Sequence, residues 1–325
     1  MTVWQNSVKL LLAIGLLAAV TIVSSVSEAA CGLSFTTNNV SVNWDLNFTS
    51  IAIPIQVERS TTDACNYSIG FSRGNAASYS ARRAANGSAL LSYQVYQSSG
   101  LTGVLKDDPD VTSITTEVIQ GGFQSGPTPI SQTVIYYFEI PYNLATTPSL
   151  VSSGTFTDTF NVNLYETSTL PLGTPIASRA VTVTINVPKM IALSLVDTGG
   201  SFQLGQLTRN ASFPVLSEGA TTSMDLRVRT NAGFSVSFSS ANNGYLKHTN
   251  PAKASLVPYR FFVNGAVLNL SSSNTVPVVG LVGSGSTGLG GLGYPLKIVI
   301  GSISGSGVLA GPHSDAVTIT ATTTE

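Results

Sequence analysis

In the segment holding Val181, Val183, Ile185 and Val187, each apolar side chain is followed by a polar one: Thr182, Thr184 and Asn186. A β-strand turns successive side chains to opposite faces, so this two-residue period describes a half-buried strand and cannot supply the apolar stripe of a helix. The same period marks residues 67–72, 91–96, 134–140 and 160–164, and no stretch beyond residue 30 carries a long helical stripe. The 30 glycines and 15 prolines suit many short strands joined by turns. The expected fold is therefore all-β.

The chain opens with a short polar start carrying Lys9, an apolar run over residues 10–23, and the small residues Ser27, Ala29 and Ala30. That order is the mark of a secretory signal peptide, and the run falls short of the roughly 20 apolar residues a membrane span needs. Residues 1–30 are read as the signal, residues 31–188 as an N-terminal β-sandwich domain and residues 189–325 as a second one, since domains mostly hold about 100 to 200 residues. Pro188 and Lys189 follow the last strand of the first half. With 10% charged residues and a net charge of -1, the chain has no basic field for nucleic acid. Cys31 and Cys65 are the two cysteines of a secreted chain, so a disulfide is expected, worth about 3 to 4 kcal/mol to the first domain. A metal pair would lack partners, because the two histidines, His248 and His313, are distant from both in sequence.

The two halves match in order. Tyr67-Ser-Ile-Gly-Phe71-Ser72 answers to Phe234-Ser-Val-Ser-Phe238-Ser239, and Leu91-Ser-Tyr93-Gln-Val95 to Val257-Pro-Tyr259-Arg-Phe261. A Gly-x-x-x-Asp element closes the series, Gly154 to Asp158 in one half and Gly311 to Asp315 in the other. After Asp158 the first half continues through Leu164, a turn over residues 167–175 and a further strand at 180–187; after Asp315 the second half offers one strand, with Val317 and Ile319 on its apolar face. A second sandwich short of its final strand would expose an apolar groove and a row of unpaired backbone groups around Val317 and Ile319, to be filled by a strand from another chain. Cys31 lies immediately ahead of the first strand at 33–42, leaving no evident segment to donate in return. A chain that accepts a strand and gives none is expected at one end of a fibre.

At these residues the sequence resembles the spore coat protein U family, which includes the pilins of archaic chaperone-usher pili. The resemblance rests on Cys-Gly-Leu at Cys31, on Cys65-Asn-Tyr67 through Gly74, on Leu91-Ser-Tyr93, and on the closing elements at Asp158 and Asp315. The second copy lacks both cysteines and has His313 where the motif's third position takes Tyr or Phe. The resemblance implies immunoglobulin-like pilin sandwiches, a periplasmic chaperone, an outer-membrane usher and a next pilus subunit as partners, and a place at the cell surface as a two-domain tip adhesin in attachment and biofilm formation. No cofactor is implied. Alternatives are a non-adhesive minor pilin, end cap or coat protein, and a carbohydrate-binding module using aromatics such as Trp44, Tyr79 or Tyr142.

If consecutive strands alternate in direction, the loops at 167–175, 121–131 and 74–87 share the end of the first domain remote from the second. Phe123, Pro127, Pro129, Ile130, Leu170, Pro171, Leu172 and Pro175 then form either a sticky surface for abiotic or host material or the rim of the sandwich itself. Gly283, Gly285 and Gly288 match a dinucleotide fingerprint in spacing but no helix is expected after them, so the run reads as a loop. Asp107, Asp108 and Asp110 read as a solvated turn, with a calcium site the lesser reading, and Arg82 and Arg83 as a solvated loop tip. His248 reads as turn chemistry, and Asp158 and Asp315 as caps for backbone groups near a strand end. No nucleophile and base fall together, so no catalytic residue is assigned.

Overall fold

The structure is a computed structural model that describes residues 31–44, 50–141, 150–304 and 307–324. The expected signal segment at 1–30 lies outside the described residues. The first half contributes β1 (Leu33–Thr37), β2 (Val40–Asn43), β3 (Ser50–Arg59), β4 (Cys65–Phe71), β5 (Arg83–Asn86), β6 (Ala89–Ser92), β7 (Gln94–Tyr96), β8 (Ile119–Phe123), β9 (Ile130–Glu139), β10 (Gly154–Tyr165) and β11 (Ala177–Val187). The second half contributes β12 (Ile191–Val196), β13 (Thr221–Thr230), β14 (Phe234–Ser240), β15 (Tyr245–His248), β16 (Leu256–Val263), β17 (Ala266–Leu268), β18 (Val278–Gly283), β19 (Leu292–Ile300), β20 (His313–Ser314) and β21 (Val317–Thr323). A single 3-10 turn at Tyr79–Ala81 is the one helical piece among the described residues.

Each half is a sandwich around its own apolar core. In the first, a sheet in the order β1-β3-β9-β7 faces one in the order β2-β11-β10-β4-β8, with the β5–β6 hairpin paired to β10. Alternation does the layering: along β10, Phe156, Asp158, Phe160, Val162 and Leu164 are buried, and Thr155, Thr157, Thr159 and Asn161 are exposed. In the second, β12-β13-β19-β16-β15-β20 faces β18-β14-β21. Two segments read as single strands are divided, because the chain changes sheet within them: residues 33–42 become β1 and β2, and residues 91–96 become β6 and β7 around the buried Tyr93.

The duplication extends to side chains. Tyr93 donates to Asp158 at 2.7 Å, and Tyr259 donates to Asp315 at 2.6 Å. Gly154 and Gly311, at the heads of the two closing elements, have φ of 130° and 133°. A side chain is strained there, and a Cβ would run into Asn86 in one half and His248 in the other. Phe71 pairs with Val162 across β4 and β10 as Phe238 pairs with Ile319 across β14 and β21. The halves meet at Asn231: its carbonyl accepts from Ser153 N, its amide donates to Pro188 O, and its side-chain oxygen accepts from Met190 N. β10 leaves this junction and β11 returns to it, so the turn between them lies at the far end of the first sandwich.

Candidate functional site: an open groove and a far-end loop cluster

In the first sandwich β10 is held on its outer side by β11, over the full register Gly154↔Val187 to Leu164↔Ala177, and β11 is held in turn by a parallel pairing with β2. Val181, Val183, Ile185 and Val187 of β11 are buried and close the core. In the second sandwich β21 takes the position of β10, and among the described residues no strand pairs with its outer edge. β12 comes near β21 without pairing to it. Val317, Ile319 and Ala321 stay half-buried, whereas their counterparts Phe160, Val162 and Leu164 are fully buried. The place of β11 is a cavity of about 920 Å³ between the sheets, lined by Met224, Phe261, Leu296, Ile298, Val317 and Ile319 among others.

The polar groups near this groove are satisfied. Asp315 accepts from Ser240 Oγ, Asn242 N, Tyr259 Oη and Ala316 N, so it does cap backbone groups, while Asp158 is held by the side chains of Asn75 and Tyr93. Burial, then the hydrogen bond to Asp315, raises the Tyr259 phenol above its ordinary range, fixing it as the donor. His248 Nδ1 accepts from Asn250 N and its Nε2 faces Ala310 O, while His313 bonds Ser255 Oγ and Gly311 O. The two rings lie 4.9 Å apart and strap residues 309–313 beside the groove. An irregular segment between β12 and β13 places Ala211, Phe213 and Leu216 against the core at the groove's open side. Sequence reading misses this segment, although Ala211-Ser212-Phe213 shows the period of two.

At the far end of the first sandwich, the turn between β10 and β11 and the link between β8 and β9 lie together with residues 60–64. Gln120 Nε2 donates to Ser168 O, and Gly126 N to Thr62 O. Cys31 and Cys65 are joined in a disulfide there. Arg59, wholly buried, donates to Asp63 O, Gln124 O and Gly126 O and lies over the Phe123 ring. Pro127, Pro129, Ile130, Leu170, Pro171 and Pro175 are exposed at this end. Phe123 and Leu172, expected beside them, are buried instead: Phe123 ends β8 on its inward face against Tyr67, and Leu172 packs with Val111, Val118 and Tyr165. Neither can contribute to a surface.

The third loop, residues 74–87, is elsewhere. Asn75 donates to Asp158 at 2.7 Å and Ala85 pairs with Thr157, which places the loop alongside the middle and junction end of β10. Strand-by-strand parity fails because the chain after Phe71 does not cross the sandwich but folds into a short hairpin. Arg82 is buried rather than a loop tip, bonded to Gln94 Oε1 and to the carbonyls of Phe71, Ser72 and Leu105. Burial lowers its pKa to about 10. Asp107 is likewise no solvated turn residue: it is buried, its carboxyl raised by desolvation, and it accepts from Tyr165 Oη and Asn163 Nδ2. Asp108 accepts from Leu172 N. No group of three or more His, Cys, Asp or Glu that could hold a metal occurs among the described residues. After Gly283 the chain enters a loop in which Thr287 is buried against Thr230, with no helix. Trp44 is buried, Tyr79 half-buried, and Tyr142 lies outside the described residues.

Two immunoglobulin-like sandwiches in tandem, one closed by its own last strand and one open at the same edge among the described residues, define the class: a tandem β-sandwich protein. The family model of the Spore Coat Protein U domain matches residues 17–163 of the chain. No curated protein matches the sequence. Among solved structures, the chain is similar to the CsuC-CsuE chaperone-tip adhesion subunit pre-assembly complex from archaic chaperone-usher Csu pili of Acinetobacter baumannii, at 13% identity and a TM-score of 0.41, covering 89% of this chain and 99% of that one. It is also similar to the CupB6 tip adhesin from Pseudomonas aeruginosa, at 12% identity and a TM-score of 0.35, covering 90% and 93%.

Proposed function

We propose that the chain is the tip adhesin subunit of a chaperone-usher surface pilus. Residues 31–188 form the outward-facing adhesive module and residues 189–325 the module that receives a donor strand. The observation that carries the reading is the outer edge of β21, unpaired among the described residues, beside a cavity where the first sandwich seats β11. An edge of that kind, left bare over an apolar groove, is an aggregation hazard that a strand from another chain removes. The partners act in turn: a periplasmic chaperone covers the groove first, an outer-membrane usher passes the chain outward, and the next pilus subunit then fills it. The first sandwich needs no such partner, since β11 closes it.

Exposed Pro127, Pro129, Ile130, Leu170, Pro171 and Pro175 at the far end supply the apolar surface for attachment to abiotic or host material and for biofilm formation. Two variants of the full chain test the two parts separately. Ile130→Ser with Leu170→Ser leaves pilus assembly intact and lowers attachment to an apolar surface; unchanged attachment refutes the adhesive role. Ile319→Arg places a charge in the groove and keeps the chain out of pili while the first sandwich stays folded by near-UV circular dichroism; normal incorporation refutes strand acceptance.

A further inference from the structure

The two cores differ most where the groove lies. In the first sandwich Phe160 is packed among Phe71, Tyr93 and Tyr136 at centroid distances of 6.2, 6.4 and 6.5 Å, and Phe138 stacks on Tyr93 at 5.1 Å. The matching strand pairs identify the counterparts. Phe71 and Tyr93 recur as Phe238 and Tyr259. Val95 pairs with Phe138 as Phe261 pairs with Ile298, so Ile298 replaces Phe138 and Leu296 replaces Tyr136. Two residues past the shared Asp, Val317 replaces Phe160. Three rings are thus exchanged for aliphatic side chains, and one is gained, Phe261 at the place of Val95. Leu296, Ile298 and Val317 all line the cavity.

In the first sandwich the strand residue facing Phe160 is Val181. A valine there suffices because the space beside it is already filled by rings. Opposite Val317 the same valine would leave the room of the lost rings unfilled, and interiors pack without such voids. We infer that the strand this groove accepts carries an aromatic side chain at the position facing Val317, with aliphatic residues at the next inward positions, facing Asp315 and His313, where the first sandwich has Val183 and Ile185. The inference rests on the strand-accepting reading and adds what distinguishes the right donor from another periodic apolar segment. The groove reads one ring by the absence of its own.

The test uses the full chain and two synthetic 11-residue peptides, one copying Ala177–Val187 and one the same with Val181→Phe. Both bind, measured by calorimetric titration, and the aromatic peptide binds about tenfold tighter. In the Val317→Phe chain, which restores the residue of the first sandwich, the preference reverses; Val317→Leu, a smaller change, reduces it. Equal affinities, or a preference for valine in the parent chain, overturn the inference while leaving strand acceptance intact. A preference that appears only after Phe213→Ala also overturns it, since Phe213 then fills the cavity from within the chain. Binding of neither peptide refutes strand acceptance itself.

Discussion

Arg82 and Arg83 are neighbours that sequence treats alike and the fold treats oppositely. Arg82 is 1% exposed and bonds Gln94 Oε1 at 2.8 Å and the carbonyls of Phe71, Ser72 and Leu105 at 3.0, 2.8 and 2.9 Å. Arg83 is exposed. Hydrogen bonds from a charged donor contribute about 1.5 kcal/mol each at the low end, so four give about 6 kcal/mol. Desolvation, which lowers the Arg82 pKa to about 10, is already contained in that net figure. Because the four bonds share one side chain and are not independent, Arg82→Ala should destabilise the first sandwich by about 3 to 6 kcal/mol, the hole it leaves included. Arg83→Ala should change stability by less than about 0.5 kcal/mol. Urea denaturation of the full chain, followed by near-UV circular dichroism, compares the two. Equal losses would refute the account of Arg82 as the clamp that holds β4, the residues after it and residue 105 together.

Reducing the disulfide, or replacing Cys31 and Cys65 by Ser, frees a loop of sequence separation 34 and should cost the first sandwich about 4 kcal/mol, read as a lower denaturation midpoint with the second sandwich unaffected. Burial pushes the Glu117 carboxyl up, but the ion pair with Lys106 and the N–H groups of Thr112 and Ser113 outweigh it and hold the pKa at about 2. A folded pKa below the ordinary 4.5 stabilises above that value, and the contribution fades as pH falls from about 5 toward 2; the parent chain should lose about 2 kcal/mol relative to Glu117→Gln over that range, measured by denaturation at each pH. Tyr93→Phe leaves buried Asp158 with Asn75 alone and should cost about 2 kcal/mol, whereas Tyr259→Phe leaves Asp315 three other donors and should cost about 1 kcal/mol or less by the same assay.

The alternating period of Val181 to Val187 and of Phe160 to Leu164 specified strands and their inward faces, because side-chain direction in a strand depends on position in the chain alone. The ordered matches likewise disclosed a duplicated sandwich, since a repeat can be counted without knowing its shape. Other features depended on path and packing. Phe123 and Leu172 are apolar residues near loops just as Ile130 and Leu170 are, and only the register of β8 with β4 and the small core around Val111 decide which pair faces water. The hairpin after Phe71 moved residues 74–87 away from the far end and turned Arg82 inward. The exchange of three rings for Leu296, Ile298 and Val317 became visible only once cross-strand partners aligned positions that lie on separate strands. Periodicity is a local property and the sequence by itself determined it; which surfaces meet, and what space is left between them, depends on contacts between residues far apart in the chain, and the tertiary structure alone decided that.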